Sequence, residues 1–228
     1  MNDEDLSDAH ILESWQHNAI AWVGAVRGGE IESRRLVTDQ AVLEAVLALR
    51  PATALDLGCG EGWLTRALCA QGVKTLGVDA VPALVQAARA AGPGDYQVAT
   101  YEHIAQGALS GQVDCVVCNF SLLGEDSVTT LLPALASLLT RQGHLLVQTL
   151  HPLMACGEAP YRDGWRSGSW AGFNTDFSDP PPWYFRTLES WVKLLYASGL
   201  DEVLIQEPVH PLSLKPASLI LQARAARS

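Results

Sequence analysis

The chain has 228 residues, 48% of them hydrophobic, and a formal net charge of −10. A chain of this size fits one α/β domain that buries its own core without a disulfide or metal staple, and its acidity argues against nucleic acid or an anionic membrane as partner, since both call for a basic surface and the longest basic cluster here is Arg34-Arg35. The acidic start Met1–Asp5 lacks the basic and apolar regions of a signal peptide, and no apolar run reaches the roughly 18 residues of a membrane span, so a cytoplasmic protein is expected.

Ser7 is placed to cap a first helix, along which Ile11, Trp15, Ala19, Trp22 and Val26 recur at helical spacing until Gly28-Gly29. A second helix starts at Thr38 or Asp39 and closes at Pro51, so residues 1–50 read as an N-terminal helical cap. From Thr53 strands and helices alternate. Ala54–Leu57 is a strand, Trp63–Ala70 a helix, Val73–Val78 a strand, and Pro82 opens a helix to Ala91, where its missing N–H costs nothing. Tyr96–Ala99, Val113–Phe120 and His144–Thr149 read as three further strands, with a helix over Val128–Leu139. Such alternation means a doubly wound α/β fold, a parallel sheet covered on both faces, over residues 51–150.

The rhythm then breaks. Residues 153–186 hold eight of the sixteen Phe, Trp and Tyr residues, too many for a disordered segment, so 151–186 is expected to be an aromatic-rich insertion that forms a lid or pocket wall after the fifth strand. Leu188, Trp191, Leu194 and Leu195 mark a closing helix from Thr187 to Gly199, and Val203–Gln206 and Ser218–Gln222 two closing strands, so that 187–228 completes a single domain. The five cysteines form no disulfide framework. Cys115 and Cys118 make a C-x-x-C, but inside an apolar strand, where they read as buried thiols packed as small hydrophobes. His10, His17 and His103 are scattered without ligand spacing, and no metal site is expected.

The chemistry lies in Asp56-Leu57-Gly58-Cys59-Gly60-Glu61-Gly62, between a strand and a helix. Glycines there let a ligand approach the main chain, and the helix start offers unpaired N–H groups. A dinucleotide fingerprint would need glycine at Trp63, and Asp56 would repel a pyrophosphate, whereas it suits a cationic ligand. Asp79 ends the second strand, nineteen residues after Gly60, where a carboxylate can accept from a ribose diol.

On these residues the segment 53–150 resembles the core of the class I S-adenosylmethionine-dependent methyltransferases. Asn119-Phe120-Ser121-Leu122-Leu123, Gly143-His144-Leu145-Leu146-Val147 and the closing helix and hairpin resemble the family's later segments, which brings the match to about three quarters of the chain. The resemblance implies a Rossmann-like seven-stranded sheet with an antiparallel last strand, and S-adenosylmethionine as cofactor. Gly58, Cys59 and Gly60 would then face its methionine part, Asp79 and Ala80 its ribose, and Asn119 and Phe120 its sulfonium and adenine. Thr100 and Tyr101 stand where the family often has an acidic residue for the adenine amino group. In ubiquinone-biosynthesis-like O-methyltransferases, similar in layout, an arginine about two dozen residues before the glycine loop binds the cofactor carboxylate. Arg35 is preferred over Arg34 for that role, and Trp22 either covers the cofactor or packs in the core.

His151 follows the fifth strand at the carboxyl edge of the sheet, where open α/β folds bind ligands, and is the candidate for handling the acceptor or its proton. Tyr161, Trp165, Arg166, Arg186 and His210 are weaker candidates beside the insertion. The expected function is methyl transfer to a small-molecule acceptor, at oxygen or nitrogen rather than carbon, by a monomer or homodimer. Two rivals remain: a non-catalytic methyltransferase-like partner subunit, and an NAD(P)-dependent oxidoreductase.

Overall fold

The computed structural model describes residues 6–173 and 176–226; the Met1–Asp5 segment, positions 174–175 of the insertion and the last two residues, 227–228, lie outside the described residues. Helix α1 (Asp8–Arg27) starts at Ser7, whose hydroxyl accepts from the His10 N–H as an N-cap. A π-helical turn, Arg34–Thr38, which the sequence did not announce, leads into α2 (Asp39–Ala48), whose start at Asp39 is one of the two expected. There follow β1 (Thr53–Leu57), α3 (Trp63–Ala70), β2 (Lys74–Asp79), α4 (Pro82–Ala91), β3 (Asp95–Val98) and α5 (Tyr101–Ala105). Then come β4 (Val113–Asn119), α6 (Asp126–Ser137), β5 (Leu139–Thr149), α7 (Pro152–Ala155), β6 (Gly164–Arg166), β7 (Trp183–Phe185), α8 (Leu188–Ala197), β8 (Leu200–Gln206) and β9 (Leu219–Ala225).

The seven-stranded sheet has the order β3-β2-β1-β4-β5-β9-β8. The first five strands are parallel and β9 runs antiparallel to both neighbours, which is the doubly wound α/β sheet with an antiparallel last strand. Side chains alternate across it. Leu55, Leu57, Val116, Cys118, Leu145 and Val147 face α6 and α8, whereas Ala54, Cys115, Val117 and Leu146 face α2 and α3. An offset of three residues in a strand therefore sends Cys115 and Cys118 to opposite faces. Both are fully buried and free, and burial pushes the Cys115 thiol up to about 12.

Helix α6 starts at Asp126 rather than Val128, because the Asp8 carboxylate reaches across from α1 and accepts the N–H groups of Glu125, Asp126 and Ser127. Strand β5 begins at Leu139, five residues before the predicted His144, because its pairing with β4 skips from Val113↔Leu139 to Cys115↔His144 over a bulge. The insertion has regular structure near both ends. It carries α7 and the β6–β7 hairpin, whose three-residue strands are too short to show a period.

Its middle is clamped to α1. Asn18 donates to the Ser178 carbonyl and accepts the Ser178 N–H, at 2.7 and 2.9 Å, and the Ser14 hydroxyl donates to the Asp179 carbonyl. Trp15, Trp22, Trp170, Phe173 and Phe177 stack edge-on or tilted between the two segments. At the other end the buried Arg186 donates to the Gly124 and Glu125 carbonyls and lies over Tyr184 and Trp191, and Trp165 Nε1 donates to Glu125. No described helix is long and apolar enough to cross a membrane.

Candidate functional site

The loop after β1 is hung from β2: the N–H groups of Gly58 and Cys59 both donate to the Val78 carbonyl, at 2.7 and 3.0 Å. Gly60 has φ +56° and its open side meets nothing nearer than Trp22 Nε1, 3.6 Å from where a Cβ would stand. The Asp79 carboxylate accepts from the N–H groups of Gly60 at 2.8 Å and Val81 at 2.9 Å, so the end of β2 braces the loop. Ala80, beside it, is half-buried. Burial raises the Asp79 carboxyl above the usual range, and the main-chain N–H groups oppose that rise.

Asp56 lies one layer below. It faces α3, is fully buried, and accepts from the Thr65 hydroxyl at 2.7 Å. Desolvation raises its carboxyl from 3.8 to about 7. A carboxyl whose folded value lies above its unfolded value stabilises in its protonated form. That stability is complete below about pH 4 and is lost as the pH rises through about 7. Asp56→Asn keeps the acceptor for Thr65 and removes the titration. Relative to the wild type it is expected to gain about 2–3 kcal/mol of stability between pH 5 and pH 8, read by urea denaturation at both pH values.

The third wall follows β4. Asn119 Oδ1 accepts from Gln148 Nε2 at 2.7 Å, and the Phe120 N–H donates to the Gln148 carbonyl at 2.8 Å, holding Phe120 at φ +52°. Ser121 donates to the Leu57 carbonyl at 2.7 Å, and Tyr101 donates to the Ser121 carbonyl at 2.9 Å. The Tyr101 hydroxyl thus lies beside Gly58, 3.3 Å from where a Cβ would stand. Thr100 is the N-cap of α5, its hydroxyl accepting from the His103 N–H at 3.2 Å, so the oxygen expected to face an adenine serves the helix. Cys59 is buried with its thiol raised by desolvation, which makes it a wall and not a nucleophile.

Asp56, expected to face a cationic ligand, is instead sealed against α3, the Thr100 hydroxyl caps α5, and the two arginines exchange roles. Arg35 is exposed, its stem against Gly29, and is not brought to the loop. Arg34 is brought there instead. Its guanidinium lies 5.9 Å from the Trp22 ring and 5.1 Å from the Trp63 ring, Nε donates to Asp39 at 2.9 Å, and Nη2 is buried with no partner among the described residues. The π-helical turn sets this choice, because one extra residue per turn changes which of two adjacent arginines faces inward. Glu61 was read only as a letter of the motif. Its carboxylate is 1% exposed and held by Arg27 of α1 at 3.0 Å and Arg66 of α3 at 2.9 Å, which bolts the N-terminal helical cap to the loop.

His151 follows β5 as the N-cap residue of α7 and is 7% exposed. Nε2 stands 2.7 Å from Glu207 Oε1, and Nδ1 is buried with no partner among the described residues. Thr149, Leu150 and Pro152 around it line a cavity of about 20 Å³, room for one water, with Leu122, Tyr184 and Trp191. A larger cavity of about 150 Å³, lined by Leu55, Leu76 and Val113, opens toward the amino ends of the strands, away from the glycine loop. Of the weaker candidates, Trp165, Arg166 and Arg186 pack within the insertion or against Gly124–Glu125, the Tyr161 hydroxyl accepts the Leu188 N–H at the start of α8, and His210 accepts main-chain N–H groups of its own turn. Among the described residues no group of three or more His, Cys, Asp or Glu side chains is placed to hold a metal ion.

A family model for a methyltransferase domain matches residues 32–204. The ubiquinone biosynthesis O-methyltransferase of Xanthomonas oryzae pv. oryzae (strain PXO99A) is 33% identical over 114 residues, which are 48% of this chain and 47% of that protein. The chain thus aligns with about half the length of the curated relatives it matches. Among solved structures, an S-adenosylmethionine-dependent methyltransferase from Mesorhizobium loti superposes with a TM-score of 0.62 at 23% identity, over 80% of this chain and 95% of the other. A Burkholderia thailandensis 1,6-didemethyltoxoflavin-N1-methyltransferase, with bound 1,6-didemethyltoxoflavin and S-adenosylhomocysteine, gives 0.60 at 20% identity, over 92% and 88%. At these identities the two structures share the fold.

Proposed function

Because the chain belongs to the methyltransferase-domain family, within the class I S-adenosylmethionine-dependent methyltransferases, we propose that it transfers a methyl group from S-adenosylmethionine to oxygen or nitrogen of a small-molecule acceptor in the cytoplasm. The observation that carries this reading is Arg34: a guanidinium held between two tryptophans at the glycine loop, with one buried nitrogen unpartnered among the described residues. An amino-acid carboxylate is what such a group lacks, and burial makes the charge-assisted pair strong.

The other residues fit the same ligand. Gly60 leaves room at the main chain, and Trp22 covers that space from α1. Each Asp79 oxygen takes one main-chain N–H and keeps a lone pair for a ribose hydroxyl. Gly58, Cys59, Ala80, Thr100 and Tyr101 border the nucleoside and methionine parts, and Asn119 and Phe120 the sulfonium side. When bound, S-adenosylmethionine supplies an electrophilic methyl group. The chain aligns the acceptor and keeps water out, which is the use of the aromatic insertion pinned to α1. The Burkholderia neighbour holds a small-molecule acceptor together with the cofactor product on this fold, and the −10 charge favours such an acceptor over a polyanion.

The test is incubation with methyl-labelled S-adenosylmethionine and a panel of phenols and amines, reading label in the acceptor and release of S-adenosylhomocysteine. Turnover of at least one acceptor, lost in Asp79→Ala, is expected. A protein that binds the cofactor product and methylates nothing would replace this reading with a non-catalytic subunit.

A further inference from the structure

The imidazole of His151 is more than nine-tenths buried, yet among the described residues only one of its nitrogens has a partner. Nε2 lies 2.7 Å from Glu207 Oε1, and Glu207, just after β8, is half exposed. A carboxylate only accepts, so Nε2 carries the hydrogen of this contact, and whenever the ring is neutral its lone pair lies on Nδ1. Nδ1 has no partner among the described residues, although a buried acceptor ordinarily has one. The residues on either side of His151 line the small cavity closed by the β6–β7 hairpin, and β5 is two strands from β1, about 10 Å at the usual strand spacing. Among the described residues no other group competes for the Nδ1 lone pair.

We propose that Glu207 is a positioning residue that locks His151 in its Nε2–H form, so that Nδ1 takes the proton from the acceptor during methyl transfer. This rests on the methyltransferase reading and deepens it. The acceptor O–H or N–H bond breaks and its proton goes to Nδ1. On oxygen the pair left by that proton forms the new bond to the methyl carbon; on nitrogen the lone pair forms it and the N–H pair stays on nitrogen as the proton leaves; in both cases the bond from carbon to sulfonium breaks with its pair on sulfur. His151 leaves the step as an imidazolium facing the Glu207 carboxylate, then loses the proton to solvent. Glu207 touches neither acceptor nor cofactor and acts through the ring. An acceptor without a removable proton gains nothing from this pair.

The test is nitrogen-15 NMR of the six histidine rings, with His151→Asn to identify the signal. In the wild type, the neutral His151 ring is expected as the Nε2–H tautomer. Glu207→Ala is expected to populate the Nδ1–H tautomer, and Glu207→Asp to restore part of the wild-type signal. With S-adenosylhomocysteine bound, at least one phenol or amine of the panel is expected to move the Nδ1 resonance, which a purely structural latch between α7 and β8 would not show. For an acceptor that turns over, Glu207→Ala is expected to lower kcat roughly 10–100-fold and leave KM for the cofactor within about twofold. A wild-type Nδ1–H tautomer, a spectrum that Glu207→Ala leaves unchanged, or an Nδ1 signal that no panel compound moves would overturn the proposal. Turnover with any of these results sinks only the His151–Glu207 pair, whereas an absence of cofactor binding sinks the methyltransferase reading itself.

Discussion

Gly58→Ala is expected to destabilise the protein by roughly 3 kcal/mol and to abolish cofactor binding. Two costs add. At φ +74° an L side chain pays about 1–2 kcal/mol. A Cβ there would also stand 2.2 Å from the Ser121 Cβ and 2.9 Å from its hydroxyl, and overpacking costs about 1–3 kcal/mol. Ser121 has nowhere to go, because its hydroxyl is bound to the Leu57 carbonyl and its own carbonyl to Tyr101. The two costs separate in a double-mutant cycle: Ser121→Gly opens the space, so Gly58→Ala in that background should keep the backbone cost and lose most of the clash. Urea denaturation of the four proteins checks this, and full additivity would mean that the clash is relieved by a loop shift.

Arg34→Ala is expected to weaken binding of S-adenosylhomocysteine roughly 10–100-fold, with Arg35→Ala within about twofold of wild type. A charge-assisted pair between a largely buried guanidinium and a carboxylate is worth about 1.5–3 kcal/mol, the range that fold-change spans. Arg34 is 12% exposed in its side chain and stacked by Trp22 and Trp63, so its charge is poorly screened, whereas Arg35 stands in solvent. Arg34→Lys should recover little, because a lysine neither stacks between two rings nor holds Asp39 while presenting a second nitrogen. Equal losses from the two alanine variants would move the carboxylate away from Arg34.

The sheet and the glycine loop were legible in the sequence because their signals are local. Asp56, Gly58, Gly60 and Asp79 sit at fixed distances along a strand–loop–helix–strand unit, and each strand of β1, β2, β4 and β5 is an apolar run long enough to read. The two thiols of β4 were legible for the same reason. What the sequence hid is what depends on phase or on distance. Arg34 and Arg35 are neighbours, and choosing between them needs the phase of a π-helical turn that no periodicity announces. The Arg27–Glu61 and Asp8–Glu125 links span 34 and 117 residues, and neither partner is marked out locally. Glu207 belongs with these: only the fold brings the end of β8 beside the end of β5. The extra length of β5 was hidden by a bulge, and the β6–β7 hairpin by its shortness.

The central claim is that Asp79, the Gly58–Gly62 loop and Arg34 form one S-adenosylmethionine site. Calorimetric titration of the wild type and of Asp79→Ala with S-adenosylhomocysteine tests it most directly, with far-ultraviolet circular dichroism to show that the variant is folded. One site per chain with micromolar affinity in the wild type, lost in the folded variant, is the result expected. No heat of binding in the wild type, or the same affinity in both proteins, would contradict the account.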